Sequence, residues 1–419
     1  MTATQHVLSS GLKVVCDPVP GLRTLAVAVT AEGGARHEDE ARSGWSHLLE
    51  HMVFKGAAGR SARDLIEHIE SAGGTLNAGT GQERTTFHAR VLAGDLPLAI
   101  ETISDLVFRP TLDPAELERE KDVVAQEIAE AFDTPDDHVF DLAQGQAFAG
   151  QAIGRPILGS RESLAGADRA GLNAWRARLY APERMAVAVS GAVSEDELLA
   201  LAERFFGEPA SGLDAALEPA VFTGGAVAQK RRIEQANLVF ELPGLAARDP
   251  DLPALALLIE ILGGGMASRL FQDAREQRGL AYAVDAGFEA FCDTGLVSIF
   301  AGTAGDKAVE MAELAADQLR ALADGVTDAE LARARAQALS GLWMAEESLA
   351  SRAERAAWQA LVWDGPIPVE QTAARIAAVQ ADDLVRVAGR LLSSGLSASA
   401  GVGPGGAGRA PEAFRARLR

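Results

Sequence analysis

The chain has 419 residues, 48% of them hydrophobic, and a formal net charge of −20. That length exceeds one comfortable core and favours two domains of about 200 residues, while the apolar content excludes general disorder. The negative balance argues against nucleic acid, whose phosphates it would repel, and no apolar run of about 18 residues is present to span a bilayer.

The first thirteen residues, Met1 to Lys13, lack a basic segment followed by an apolar one and are not an Arg-rich amphipathic leader. Export and organellar import therefore lack support, and a cytoplasmic bacterial protein is expected. Cys16 and Cys292 are the only cysteines, too few for a disulfide framework, which suits a reducing compartment. Cys16 follows Val14 and Val15 in a predicted strand and reads as a small core residue. A second strand is predicted over Leu25 to Val29.

Residues 47–51 read His-Leu-Leu-Glu-His. On a helix, His47 and His51 are four apart and Glu50 lies three after the first histidine, so all three project from neighbouring turns of one face. Two neutral imidazoles at that spacing can share a tetrahedral Zn²⁺, and the Glu50 carboxylate beside them can act as a general base. The order is the reverse of the commoner His-Glu-x-x-His arrangement and matches inverted zinc-peptidase motifs. The plain alternative is an amphipathic helix with two solvated or hydrogen-bonded histidines.

Further on, Thr75-Leu76-Asn77-Ala78 and Thr85 to Leu92 read as strands around a Gly-rich turn. An edge strand there can pair with an extended peptide at little cost in sequence demand. Asn77 is a candidate to hydrogen-bond a peptide main chain, or equally a turn-forming residue.

A catalytic zinc usually has three protein ligands. The best supplier of the third is the segment from Asp113 to Ile128, where Asp113 reads as an N-cap, Pro114 as the first helical residue and Glu116 as the third. Glu120 and Glu127 are seven apart, close to one stripe two turns long. Glu127 sits in the apolar run Val123 to Ile128, where an unpaired carboxylate is costly to bury and a metal removes that cost. Glu120 then fits a supporting place behind a ligand.

Two helix-then-strand signals look like copies of one another. The first is Leu172 to Tyr180 followed by Met185 to Gly191; the second is Leu384 to Leu392 followed by Leu396 to Gly403. Between them, Glu208 to Ala216 has the composition of a linker. The expected division is a catalytic, zinc-binding domain over 1–208, a linker over 209–228 and a homologous domain without metal over 229–419. The helix Leu252 to Leu262 in the second half has no histidine and is core by composition, and Thr327 with Glu330 forms a capping box. The expected fold class is α+β, each half an antiparallel-rich sheet with helices on one face.

These motifs resemble the pitrilysin, insulysin and mitochondrial processing peptidase family of zinc metalloendopeptidases, most of all its short bacterial and mitochondrial processing branch. The carrying residues are Gly44 to Gly56, Gly73 to Ala78, the pair Glu120 and Glu127, and Pro182 to Gly191. The resemblance implies two similar halves facing each other around a cavity. It implies one Zn²⁺ per chain held by His47, His51 and Glu127, with Glu50 as base and Glu120 as a supporting acidic residue. Asn77 and Ala78 of the edge strand are the candidate substrate-binding pair, and the resemblance implies that Arg278 and Tyr282 of the second half donate hydrogen bonds to the scissile carbonyl. Without the resemblance, Arg278 and Tyr282 read as a surface arginine beside a half-buried tyrosine. Gly79 stands where relatives often have an aromatic residue, which leaves subsite preference open.

The expected activity is endoproteolysis of unfolded peptides or presequence-like segments, by a homodimer that carries its own Arg278 and Tyr282. The contrasting possibility is a non-catalytic or partner-dependent subunit of the same fold, of which the family has examples. Other signals carry little. Gly401 to Gly406 fits a dinucleotide pattern but contains Pro404 and no nucleotide fold completes it. His6, His37, His68, His88 and His138 have no paired spacing.

Overall fold

A computed structural model describes residues 3–207 and 217–418. The chain folds into two compact units, and each unit draws on both halves of the sequence. Unit 1 comprises Met1–Ile128, Pro156–Leu217 and Trp343–Val369; unit 2 comprises Ala129–Arg155, Glu218–Leu342 and Glu370–Arg419. This differs from a contiguous division into 1–208 and 229–419. Residues 209–216 of the expected linker lie outside the described residues, and 225–228 are already strand.

Unit 1 is built on a six-stranded sheet of β1 (Thr4–Val7), β2 (Lys13–Pro18), β3 (Thr24–Ala31), β4 (Thr75–Thr80), β5 (Thr85–Leu92) and β6 (Met185–Gly191). The order is β1-β2-β6-β3-β5-β4, antiparallel except for the parallel pair β2 and β6. Unit 2 has five strands: β7 (Gly225–Lys230), β8 (Gln235–Pro243), β9 (Ala281–Ala290), β10 (Gly295–Ala304) and β11 (Ala398–Gly403). Their order is β9-β10-β8-β11-β7, again with one parallel pair, β11 and β7. Setting β1 aside, the two orders are the same, so the duplication suspected from the helix–strand signals is a duplication of topology.

The alternation of residues along the central strands explains the layers. On β3, Leu25, Val27 and Val29 face a core shared with Leu48, Leu49 and Met52 of α1 (Trp45–Val53) and Leu65 of α2 (Ala62–Glu70). Leu117 and Val124 of α3 (Pro114–Asp133) close that core. Ala26 and Ala28 point the other way, because side chains on a strand alternate between faces. They meet a helix too, so the expectation of helices on one face only is corrected. That helix, Leu349–Trp363, offers Ala353, Ala356, Ala357 and Ala360 at helical spacing to Val15, Ala26, Ala28, Ala186 and Ala188. Small residues on both sides let the backbones approach closely. In unit 2 the helix Pro135–Ala147 does the same, setting Val139 and Ala143 against Val239, Ala400 and Val402. The opposite face of β8 buries Leu238, Phe240 and Leu242 under Leu252–Gly263 and Ala308–Asp324. Among the described residues no helix is long and apolar enough to cross a membrane.

Candidate metal centre

The site is assembled within unit 1 by α1, α3 and the edge strand β4. Helix α1 begins at Gly44, whose φ of 87° suits a residue without a Cβ; a Cβ there would stand 2.5 Å from the Leu158 carbonyl oxygen. No side chain at the cap serves the helix start. Instead the buried Glu38 carboxylate accepts from the Gly44 and Ser46 N–H groups, both at 2.7 Å. It satisfies donors that the first turn leaves without partners and sets a negative charge at the positive end of the helix. The Trp45 indole donates to the Ser163 carbonyl at 3.0 Å and the Trp175 indole to the Ser46 hydroxyl at 3.1 Å. With Leu48, Leu49, Met52 and Val53 buried, the opposite face of α1 presents His47, Glu50 and His51.

Helix α3 starts as its sequence predicts, with the Asp113 carboxylate accepting from the Ala115 and Glu116 N–H groups at 2.8 and 3.1 Å. Two turns apart, Glu120 and Glu127 both face α1. The Glu127 Oε2 lies 3.8 Å from His47 Nε2 and 3.7 Å from His51 Nε2. The three ligand atoms fall within 4.8 Å of one another. Those gaps are too long for hydrogen bonds, and ligand atoms around a tetrahedral zinc with bonds of about 2.0–2.1 Å stand roughly 3.3–3.5 Å apart. The donor set, two imidazole nitrogens and a carboxylate oxygen, is one that zinc takes, so the residues fit the ion.

The protonation states agree. Burial, with the charge of His51 adding to it, pushes His47 down to about 4, so its ring is neutral and its lone pair available at neutral pH. Glu120 is the buried carboxylate of the pair, 4% exposed, whereas the Glu127 side chain keeps 38% of its surface. The carboxylate that is costly to bury is therefore Glu120 and not, as expected, Glu127, since α3 turns Val123 and Gln126 outward as well. Glu120 is not unpaired. Its Oε2 accepts from His51 Nδ1 at 3.1 Å and its Oε1 lies 2.6 Å from Lys55 Nζ. A proton on Nδ1 leaves the Nε2 lone pair of His51 turned toward Glu127, where the metal would sit.

Glu50 accepts a hydrogen bond at its Oε2 from the Thr80 hydroxyl at 2.6 Å. Behind it Tyr180 is fully buried; burial, with the Glu50 charge adding, pushes the phenol up, and it stays protonated. A cavity of about 580 Å³ opens beside Glu50 and His51, walled by Phe54, Ile66, Ile69 and Leu76. Strand β4, last in the sheet order, borders it. Asn77 is exposed, with its carboxamide oxygen accepting from the Ala78 N–H at 2.9 Å, and Ala78 packs partly against the core.

Arg278 and Tyr282 belong to unit 2. A π-helical segment, Phe271–Gln277, precedes them. The Arg278 Nε donates to Asp273 Oδ1 at 2.7 Å, with the side chain 48% exposed. Tyr282, 61% exposed, sits at a register shift of β9 between Ala281 and Ala283. Sequence reasoning did not pick out Lys55, Thr80 or Glu38. Lys55 and Thr80 lie within or beside quoted motifs, but nothing in their spacing names a partner.

Two family models match the chain: Insulinase (Peptidase family M16) over residues 13–161 and the Peptidase M16 inactive domain over residues 167–338. A protein of Rickettsia bellii named an uncharacterized zinc protease is 34% identical, across 95% of this chain and 96% of its own. A Bacillus subtilis protein named uncharacterized zinc protease YmxG is 35% identical, across 84% of this chain and 86% of its own. Two solved structures, a peptidase M16 inactive domain from Pseudomonas fluorescens and a protease from Helicobacter pylori, superpose with TM-scores of 0.90 and 0.89. Each is 21% identical over 96% of this chain, covering 98% and 100% of its own length, and so shows likeness of fold. With relatives above the 30% level over nearly the whole chain and two family models that together match 13–161 and 167–338, this chain belongs to the insulinase family, peptidase family M16.

Proposed function

We propose that this chain is a zinc-dependent endopeptidase that hydrolyses peptide bonds in unfolded peptides or presequence-like segments. The observation that carries the proposal is the convergence of His47, His51 and Glu127 on one point with the Glu50 carboxylate on the same helix face. Bound zinc would act as a Lewis acid, making water a better nucleophile near neutral pH and polarising the scissile carbonyl. Glu120 keeps His51 in the tautomer whose Nε2 is free, and Lys55 balances the buried Glu120 charge. Glu50 takes the proton from the attacking water and returns it to the leaving nitrogen.

An extended substrate would pair with the open side of β4, which lends backbone hydrogen bonds without demanding sequence. The cavity walled by Phe54, Ile66, Ile69 and Leu76 suits an apolar side chain next to the cleaved bond. For Arg278 and Tyr282 we keep the role that the family implies, hydrogen-bond donation to the substrate carbonyl. Both are exposed donors within their own unit, which supports that role. Cysteines without a disulfide, one buried and one exposed, support a reducing compartment and hence the cytoplasm. The presence of base, ligands and donors in one chain supports a self-sufficient homodimer, which light scattering of active material would test.

Glu50→Gln is the direct test. Peptide cleavage should fall by roughly 10²–10⁴-fold while zinc content stays near that of the parent chain. Undiminished turnover would remove Glu50 from the mechanism, and a purified chain that takes up no zinc would favour a non-catalytic subunit.

A further inference from the structure

The general base has a partner that its own helix does not supply. Thr80 is the last residue of β4, and its hydroxyl donates to Glu50 Oε2 at 2.6 Å. Along β4, Leu76 and Ala78 pack toward the core that α1 shares, and Thr80, two residues further, continues that face. Thr75, Asn77 and Gly79 occupy the other face. The hydroxyl therefore reaches the catalytic helix because of strand periodicity and not by way of a loop.

The end of β4 that carries Thr80 is firmly tied. The turn after it closes with the Gly81 N–H donating to the Arg84 carbonyl at 2.8 Å. That turn is stitched to the segment before α1: the Ala35 N–H donates to the Gly81 carbonyl at 3.1 Å and the Arg36 N–H to the Gln82 carbonyl at 2.7 Å. The approach is so close that a Cβ on Gly34 would stand 2.2 Å from the Gly81 oxygen. Glu38, which caps α1, belongs to the same segment. One backbone frame thus registers the end of β4 against the start of the helix that bears Glu50. Among the described residues, Thr80 is the one side chain hydrogen-bonded to the Glu50 carboxylate. Thr85, opposite Thr80 in the strand pair, spends its hydroxyl hydrogen on the Gly33 carbonyl at 2.9 Å.

From this arrangement we infer that Thr80 is a positioning residue for Glu50, and that β4 registers the base against the substrate paired to it. The inference deepens the endopeptidase reading and rests on it for the role of Glu50. A flexible glutamate has several rotamers, and a base works only within about 2.6–3.2 Å of the proton it takes. A hydroxyl donor on the strand that also takes the peptide holds base and substrate on one ruler. Threonine answers both demands, a β-branched residue for the strand and a hydroxyl for the carboxylate.

Two variants separate the hydroxyl from the shape. Thr80→Val keeps the β-branched outline and removes the donor; Thr80→Ser keeps the donor and removes a methyl. With a fluorogenic peptide, Thr80→Val should lower kcat by about 10–100-fold, the cost expected of a misplaced group, while KM stays within about threefold. Thr80→Ser should stay within about threefold of the parent chain in both constants. Zinc content and melting temperature should match in all three proteins, and Thr80→Ala replaces the valine variant if that fails to fold. Crystal structures of the zinc-loaded proteins read the position directly. The Glu50 carboxyl should keep one conformer in the parent and in Thr80→Ser and leave it in Thr80→Val. A valine variant with undiminished kcat, a serine variant as impaired as valine, or a Glu50 conformer unmoved by valine would each overturn the inference. If the zinc-loaded parent cleaves no peptide, the endopeptidase reading fails, and the Glu50 conformers still decide whether Thr80 positions that side chain.

Discussion

At the scale of single residues, the site depends on side chains held by other side chains. His51 can present Nε2 because Nδ1 is occupied by Glu120, and Glu120 can lie buried as an anion because Lys55 stands 2.6 Å away. A buried carboxylate stripped of its partner is costly, so this chain of contacts is cooperative. Glu120→Gln keeps the shape, weakens the hold on Nδ1–H and removes the charge that complements Lys55. The expected outcome is a zinc dissociation constant raised by about 10–100-fold, measured by competition with a chelating dye. An unchanged constant would show that Glu120 does not act on the ligand set. The candidate site was legible in the sequence because the spacings 47, 50, 51 and 120, 127 are helical spacings, and a helix converts them directly into directions. Lys55 and Thr80 were not legible. Their partners are 65 and 30 positions away along the chain, and only packing brings those positions together.

At the scale of elements, α1 is a short helix that carries most of the candidate metal site, and its start is its weak point. It opens on a left-handed glycine without a side-chain cap, and Glu38 substitutes from six positions upstream. Removing that carboxylate leaves two N–H groups in a buried place without acceptors. Glu38→Ala should cost about 1–2 kcal/mol of stability, read by chemical denaturation. The loss should be smaller for an exposed cap, such as the Thr327 hydroxyl that accepts from the Glu330 N–H at 3.2 Å. Equal losses at the two sites would show that Glu38 acts as an ordinary surface charge. Both the Asp113 cap and the Thr327–Glu330 box were visible in the sequence, because capping is written within three or four consecutive residues. The Glu38 cap was hidden because the chain makes two short 3₁₀ turns, Ala35–His37 and Glu40–Arg42, that fold the carboxylate back.

At the scale of the whole molecule, each unit is completed by a helix from the other half of the sequence. The alanine face of Leu349–Trp363 covers the second side of the unit 1 sheet, and buried Asp17 fastens it by accepting two hydrogen bonds from Arg352, at 2.8 and 2.6 Å. A fragment of residues 1–217 would carry His47, His51 and Glu127, the candidate metal ligands, and yet expose Val15, Ala26, Ala28, Ala186 and Ala188 to water. It should bind an apolar dye and associate, while co-expression with the remainder, which restores the helix, should suppress both. A monomeric fragment of residues 1–217 that binds zinc and no dye would show that the helix is dispensable.

What the sequence by itself determined is whatever is written at short range: helix starts with local caps such as Asp113 and Thr327, the alternating strands, the two histidines with their glutamate, and the carboxylate pair one heptad apart. Periodicities of 3.6 and 2 residues turn neighbours in the chain into neighbours on a face. The tertiary structure alone decided which helix covers which sheet, which of the two glutamates is buried, and which hydroxyl and ammonium attend the base and the ligand. Those choices depend on contacts between positions tens to hundreds of residues apart, where no local period connects them and only the shared burial of apolar surface does.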